Sequence, residues 1–119
     1  MTEPGEKPNY RTVPREIVIT NRGLEYGNIE AWTSIIASYR LQHPEHDVLI
    51  LYEGDQVMSM ISLYKREEKL NLGGFQLVVS APDANWKDVP KLYRYLVEGA
   101  SPAFGKFIEK EVNRVLNLF

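Results

Sequence analysis

The chain has 119 residues, of which 44% are hydrophobic, 25% are charged and none is cysteine. This length fits one domain with its own core, and the lack of cysteine excludes disulfide frameworks, Cys-ligated metal sites and cysteine nucleophiles. The 14 lysines and arginines are offset by 16 aspartates and glutamates, which gives a net charge of −2. Binding to nucleic-acid phosphates draws on concentrated positive charge, so a nucleic-acid partner is disfavoured.

The ends and the hydropathy of the chain predict its compartment and domain organisation. No apolar run approaches the roughly 18 residues that a membrane-spanning helix requires, and residues 1–8 lack the apolar core of a signal peptide. We therefore expect a cytoplasmic protein without a membrane partner. Residues 1–14 hold three prolines and no hydrophobic periodicity, which predicts a flexible tail, followed by a single α+β domain over 15–119.

The first half of the domain contains a strand, a helix and a second strand. The β-branched segment 16–20 predicts a short strand. Asn28 is a suitable N-cap for a helix that runs to about Gln42, because apolar residues recur there at helical spacing. The continuous apolar run 47–52 predicts a strand that is buried on both faces. The apolar positions of the helix are Ile29, Trp32, Ile35, Ile36 and Tyr39.

Two further strands are expected after a tight turn. Gly54 suits the first central position of a type II′ hairpin, which would place Tyr52 opposite Val57. Side chains alternate over 57–64 in the manner of a third strand. A fourth strand is predicted over 75–80, after a pair of glycines.

The period then becomes helical. Asp88 can cap a helix that has Pro90 in its first turn and ends at Gly99, and Ser101 followed by Pro102 opens a last helix towards the C-terminus. The element order β-α-β-β-β-α-α predicts a two-layer α+β domain with a mixed four-stranded sheet. Its first β-α-β unit is expected to be a right-handed crossover between parallel strands.

The loop over 21–28 joins a strand to a helix, where α/β proteins often bind anions. Its glycines would allow close backbone approach, and its arginine could add a charge-assisted contact. The spacing matches neither G-x-G-x-x-G nor G-x-x-x-x-G-K-[ST], and Glu25 would repel an anion, so a purely structural loop is the simpler interpretation. The candidate ligand-binding residues are Arg22, Gly23, Gly27 and Asn28.

Two histidines stand close to two carboxylates, and all four are metal ligands by type. Pro44 interrupts the helix between His43 and His46, and His43 is favourable at a helix C-terminus through the helix dipole alone. We interpret this segment as a solvated turn and expect neither a metal nor a cofactor. No serine lies in a G-x-S-x-G elbow, so no catalytic residue is assigned.

The C-terminal region carries an unusually large apolar and aromatic load. Chain ends are usually polar and frayed, whereas this sequence closes on Leu118 and Phe119. Such an end either docks on its own domain or contributes to an interface, which in homo-oligomers is most often a twofold one. The candidate interface residues are Tyr95, Phe104, Leu116, Leu118 and Phe119.

Three functions remain open at this point. The leading hypothesis is a non-enzymatic interaction or regulatory module that binds a protein partner or forms a homodimer through its C-terminal helices. The alternative is a domain that binds a small anionic ligand, such as phosphate or a nucleotide, at the loop over 21–28. The third is a small enzyme, which would need a deep pocket with at least two titratable groups of shifted pKa.

Overall fold

The computed structural model describes residues 9–64, 69–108 and 116–119. Helices pack on a curled antiparallel sheet, so the predicted two-layer α+β arrangement is confirmed. The elements in chain order are β1 (Tyr10–Arg11), β2 (Arg15–Glu16), α1 (Tyr26–Gln42), β3 (Asp47–Tyr52), β4 (Asp55–Gln56), α2 (Ile61–Tyr64), β5 (Phe75–Ala81), α3 (Val89–Gly99) and a 3₁₀ helix (Phe104–Phe107).

Strand β5 is the centre of the sheet. It pairs with β3 on one side and with both β1 and β2 on the other, and β4 extends the sheet beyond β3. Each of these pairings is antiparallel, so the described strands form an antiparallel sheet and not the expected mixed one. Strands β2 and β3 do run in the same direction, but β5 lies between them and prevents the expected direct parallel pairing.

The N-terminal edge begins earlier than predicted. Tyr10 and Arg11 pair with the end of β5, and the Thr12 hydroxyl accepts a hydrogen bond from the Val79 N–H at 2.9 Å. The described part of the predicted tail therefore lies along the sheet, while residues 1–8 fall outside the described ranges. The edge ends soon after Ile17, whose N–H donates to the Phe75 carbonyl.

The segment after β3 departs most from expectation. Glu53 and Gly54 have φ values of 51° and 87°, as a two-residue type I′ turn requires, and Tyr52 pairs with Asp55 instead of Val57. The sheet ladder ends at Gln56, and the chain turns into the short helix α2 where a strand was predicted over 57–64. Leu63 is buried on the core from this helix, which explains the apolar position without a strand.

Helices α1 and α3 are antiparallel and closely packed. The Trp32 indole N–H donates to the Leu96 carbonyl at 2.8 Å, and a Cβ at Gly99 would lie 3.0 Å from Ile35 Cδ1. The two helices therefore approach each other closely at Gly99. None of the helices in the described ranges is long and apolar enough to cross a membrane.

The helix boundaries differ in detail from the sequence patterns. Helix α1 begins at Tyr26, with Glu25 as N-cap, so Asn28 lies inside the first turn. Helix α3 follows Asp88 as predicted, yet the Asp88 side chain makes no capping bond. The last predicted helix is represented by the 3₁₀ turn, and its continuation over 109–115 lies outside the described residues.

Candidate functional site in the groove between helices α1 and α3

Asn28, a candidate ligand-binding residue, is completely buried and fully hydrogen-bonded. Its Nδ2 donates to the carbonyl oxygens of Gly99 at 2.7 Å and Ser101 at 3.1 Å. Its Oδ1 accepts from the Glu25 N–H at 2.9 Å and from Asn21 Nδ2 at 2.8 Å. An amide has two donor hydrogens and two acceptor positions, and all are used, so Asn28 fastens α1 to the end of α3.

The other candidates of this loop divide into two groups. A Cβ at Gly27 would lie 2.1 Å from the Phe104 ring, so Gly27 permits close packing of that half-buried ring. Arg22 and Gly23 instead line a surface cavity of about 260 Å³ together with Lys69. The structure therefore brings together only half of the predicted ligand site.

The groove between α1 and α3 holds the C-terminal residues. The Leu118 N–H donates to Ser38 Oγ at 2.9 Å, and the Leu118 carbonyl accepts from the Tyr95 hydroxyl at 3.1 Å. Ser38 belongs to α1 and is only 2% exposed, whereas Tyr95 belongs to α3. Side chains of two helices thus satisfy both main-chain polar groups of one residue, which is a sequence-independent way to hold a peptide.

An aromatic pocket receives the next side chain. The Phe119 ring stands edge-on to Tyr39 at 5.3 Å and to Tyr95 at 5.4 Å, and the Lys91 ammonium lies 5.7 Å from its centroid. Edge-to-face pairs and a cation over a ring are both stabilising arrangements. Leu116 is half-buried at the start of the described segment. Three of the five predicted interface residues, namely Tyr95, Leu118 and Phe119, therefore lie at this groove, in contact with their own chain.

A network of polar side chains lies beneath the pocket. The Tyr39 hydroxyl is 2.8 Å from His46 Nδ1, and His46 Nε2 is 3.2 Å from an Asp83 carboxylate oxygen. His43 Nε2 lies 2.6 Å from Asp88 Oδ2. His46 is only 3% exposed, so the interpretation of this segment as a solvated turn was wrong for that ring, whereas Pro44, Glu45 and Asp47 are exposed. Helix α1 ends at Gln42, and the His43 and His46 rings both turn inward from the segment that follows it.

The protonation state of Tyr39 defines what the network can do. Burial raises the pKa of Tyr39 to about 12, and the nearby Asp88 and Asp83 carboxylates add to the shift. The phenol is therefore neutral, and it shares a hydrogen bond with His46 Nδ1, while His46 Nε2 faces the Asp83 carboxylate. The network fixes the ring that forms the pocket floor. In the ranges 9–64, 69–108 and 116–119, no group of three metal-ligating side chains could hold a metal ion.

We expect stability to fall when the pH rises from about 10 to about 12, because the folded state holds the Tyr39 proton more tightly than the unfolded chain does. The contribution is complete below the ordinary pKa of 10 and is lost as the pH reaches the folded value, a difference of roughly 2–3 kcal/mol. Urea unfolding across this pH range measures it. The chain holds six other tyrosines, which both proteins share, so the difference between wild type and Tyr39→Phe isolates this group. Equal slopes in the two proteins would contradict the assignment.

Sequence reasoning missed Ser38, Asp83 and Asp88 as partners at this site. Ser38 gave one usable signal, because it lies within the apolar stripe of α1, three residues after the buried Ile35. A polar residue on a buried helix face needs a hydrogen-bonding partner. The two aspartates gave no comparable signal, since the bond between His43 and Asp88 joins residues 45 positions apart.

Comparisons with known proteins place the domain in a sequence context. Residues 10–106 match a family described as "Uncharacterised Treponema protein C-terminal domain". A protein of Treponema pallidum (strain Nichols), described as "Uncharacterized protein", is 34% identical over 103 residues, which cover 87% of this chain and 29% of that relative. The chain thus spans less than a third of the relative's length. No solved structure matches. The family match contains both groove helices and ends before the segment that fills the groove.

Proposed function

The chain belongs to the family described as a Treponema protein C-terminal domain, and from this premise we propose that it is a non-enzymatic, cytoplasmic protein-interaction module whose α1–α3 groove binds a short apolar segment. The observation that carries the proposal is the pair of hydrogen bonds to the main chain of Leu118. A buried serine and a tyrosine bind its N–H and C=O from opposite helices. The adjacent aromatic pocket supplies affinity for the Phe119 ring.

The groups that hold the segment project from helix α1. Ser38 is buried under the bound segment, and the Tyr39 hydroxyl lies 2.8 Å from His46 Nδ1, so both side chains have a defined position at the groove. The Leu118 N–H supplies the hydrogen-bonding partner that the covered Ser38 hydroxyl needs. Ser38 and Tyr39 lie inside the region that matches the family, whereas residues 116–119 lie beyond it. The segment that we propose as the occupant therefore lies outside the region that matches the family.

The occupant that we propose is the segment 116–119 of a second copy of this chain. The same contacts that Leu118 and Phe119 make within one chain are available between two chains, so exchange of the segment adds no new interface. Reciprocal exchange gives a closed twofold dimer, and identical elements swap at low cost. The homodimer then forms through the C-terminal segment and not through a free helix face.

Analytical ultracentrifugation of the full chain from micromolar to millimolar concentration tests the exchange. We expect a concentration-dependent dimer, and deletion of residues 116–119 should abolish it, because no segment is left to exchange. Phe119→Ala removes the same two ring contacts from the closed monomer and from the exchanged dimer, so it should change the dimerisation constant little. Leu41→Ala is the matched control, since Leu41 lies on α1 but is 64% exposed away from the groove. A monomer at every concentration, or a dimer that persists without residues 116–119, would contradict the exchange.

A peptide experiment tests the groove itself in the full chain. A fluorescent peptide of residues 112–119 should bind the Phe119→Ala variant, whose own pocket is empty of a ring, and fluorescence anisotropy reports the affinity. Adding Ser38→Ala or Tyr95→Phe should weaken binding about three- to tenfold, as expected for one hydrogen bond. If neither change affects the affinity, or a peptide ending in alanine binds equally well, the groove is not a peptide site.

A further inference from the structure

A surface cavity at the loop before α1 shares no lining residue with the groove described above. It has a volume of about 260 Å³ and is formed by the loop before α1, the end of α2 and the segment before β5. Two exposed cations, Arg22 and Lys69, line it together with Gly23, the exposed Tyr64 and leucines that are partly or fully buried. These leucines include Leu24, Leu63 and Leu70.

The charge at this cavity is one-sided in the part of the chain that the structure describes. Neither Arg22 nor Lys69 forms an ion pair with a described carboxylate. An arginine fork and a lysine ammonium together favour a carboxylate or phosphate oxygen. The leucines, however, make no favourable contact with a phosphate, because apolar surface is stabilised when apolar groups cover it.

The loop before α1 does not provide the backbone cradle that a nucleotide phosphate needs. The N–H groups of Asn28 and Ile29 both donate to the Glu25 carbonyl, so they are not free at the start of the helix. Gly27 is covered by the Phe104 ring. The recognition of an anion at this cavity therefore rests on side chains, while a phosphate or nucleotide held by the loop backbone stays a prediction that these two N–H groups do not support.

We propose that this cavity binds a small amphiphilic anion, namely a medium-chain carboxylate. The carboxylate lies between Arg22 and Lys69, and the alkyl chain covers the leucines. The volume is below the roughly 300–1,000 Å³ of pockets for drug-sized ligands, which favours a single short chain over a lipid with two tails. This site goes beyond the proposed interaction function and does not depend on it.

Octanoate, octanol and inorganic phosphate separate the two parts of the recognition. Titration of the full chain, followed by amide chemical shifts in NMR, should show saturable octanoate binding centred on residues 22–24 and 69–72. Octanol and phosphate should each bind at least about tenfold more weakly, because each lacks one half of the ligand. Arg22→Gln should weaken octanoate binding about tenfold. Arg94→Gln, which removes an exposed cation on α3, is the control and should have no effect.

Each other outcome overturns the proposal. Equal binding of octanol, unchanged by Arg22→Gln, would show an apolar site without a role for the cations. Equal binding of phosphate would show an anion site without a role for the leucines. No saturable binding of any probe would show that the cavity is not a ligand site. The Phe119→Ala variant should bind octanoate as the wild type does, so failure of the groove proposal and failure of this one are distinguishable.

Discussion

Replacing Asn28 with alanine should destabilise the domain by about 4 kcal/mol, a large share of the roughly 5–15 kcal/mol that holds a typical domain folded. The side chain is completely buried and makes all four of its hydrogen bonds. Alanine would leave the carbonyls of Gly99 and Ser101 and the Glu25 N–H without this partner. Each buried polar group that loses its partner costs about 1–3 kcal/mol. Urea unfolding of the variant measures the loss.

Two further variants identify the cause. Asn28→Asp keeps the shape and the acceptor for the Glu25 N–H, but it turns a carboxylate oxygen towards the Gly99 carbonyl. Repulsion should make it at least as destabilising as alanine, although it is the closer isostere. Gln42→Ala removes an exposed amide from the same helix and should change stability by less than about 0.5 kcal/mol. A small loss in Asn28→Ala would mean that the loop re-forms its bonds without this side chain.

The parts of the fold that local patterns define were predictable. Strands β3 and β5 and helix α3 lie within one residue of their predicted bounds, because continuous apolar runs and helical spacing record burial directly. Helix α2 was not predictable, since an alternating pattern is compatible with a strand until the turn type is known. The positive φ of the non-glycine residue Glu53 defined that turn and shifted the register by two residues.

The candidate site was predictable in its residue types but not in its geometry. The apolar C-terminus indicated Leu118 and Phe119, and the structure places both in one groove. Nothing local indicated that His46 would pair with Tyr39 and Asp83, since these contacts depend on how α1, β3 and the loop before α3 meet. In the loop over 21–28, glycine and asparagine are typical of a ligand loop and of tight packing alike, and only the tertiary contacts distinguish the two.

Gly27→Ala provides the sharpest test of that distinction, and it should destabilise the domain by about 3 kcal/mol, at the upper end of the usual range for overpacking. The new Cβ would lie 2.1 Å from the Phe104 ring, so the ring must leave its place over α1 and expose apolar surface. Gly23→Ala is the matched control in the same loop. A Cβ at Gly23 has no atom within 4 Å, so this variant should be close to neutral.

A double-mutant cycle with Phe104→Ala reveals whether the ring is the cause. Without the ring, the effect of Gly27→Ala should change sign, because Gly27 lies inside α1 and alanine is favoured over glycine in a helix by about 0.5–1 kcal/mol. The coupling between the two positions should then reach about 3–4 kcal/mol, well above the error of additivity for distant sites. If Gly27→Ala costs the same in both backgrounds, the glycine is needed for its backbone and not for the ring. Close packing against Phe104 would then no longer explain why glycine occupies this position.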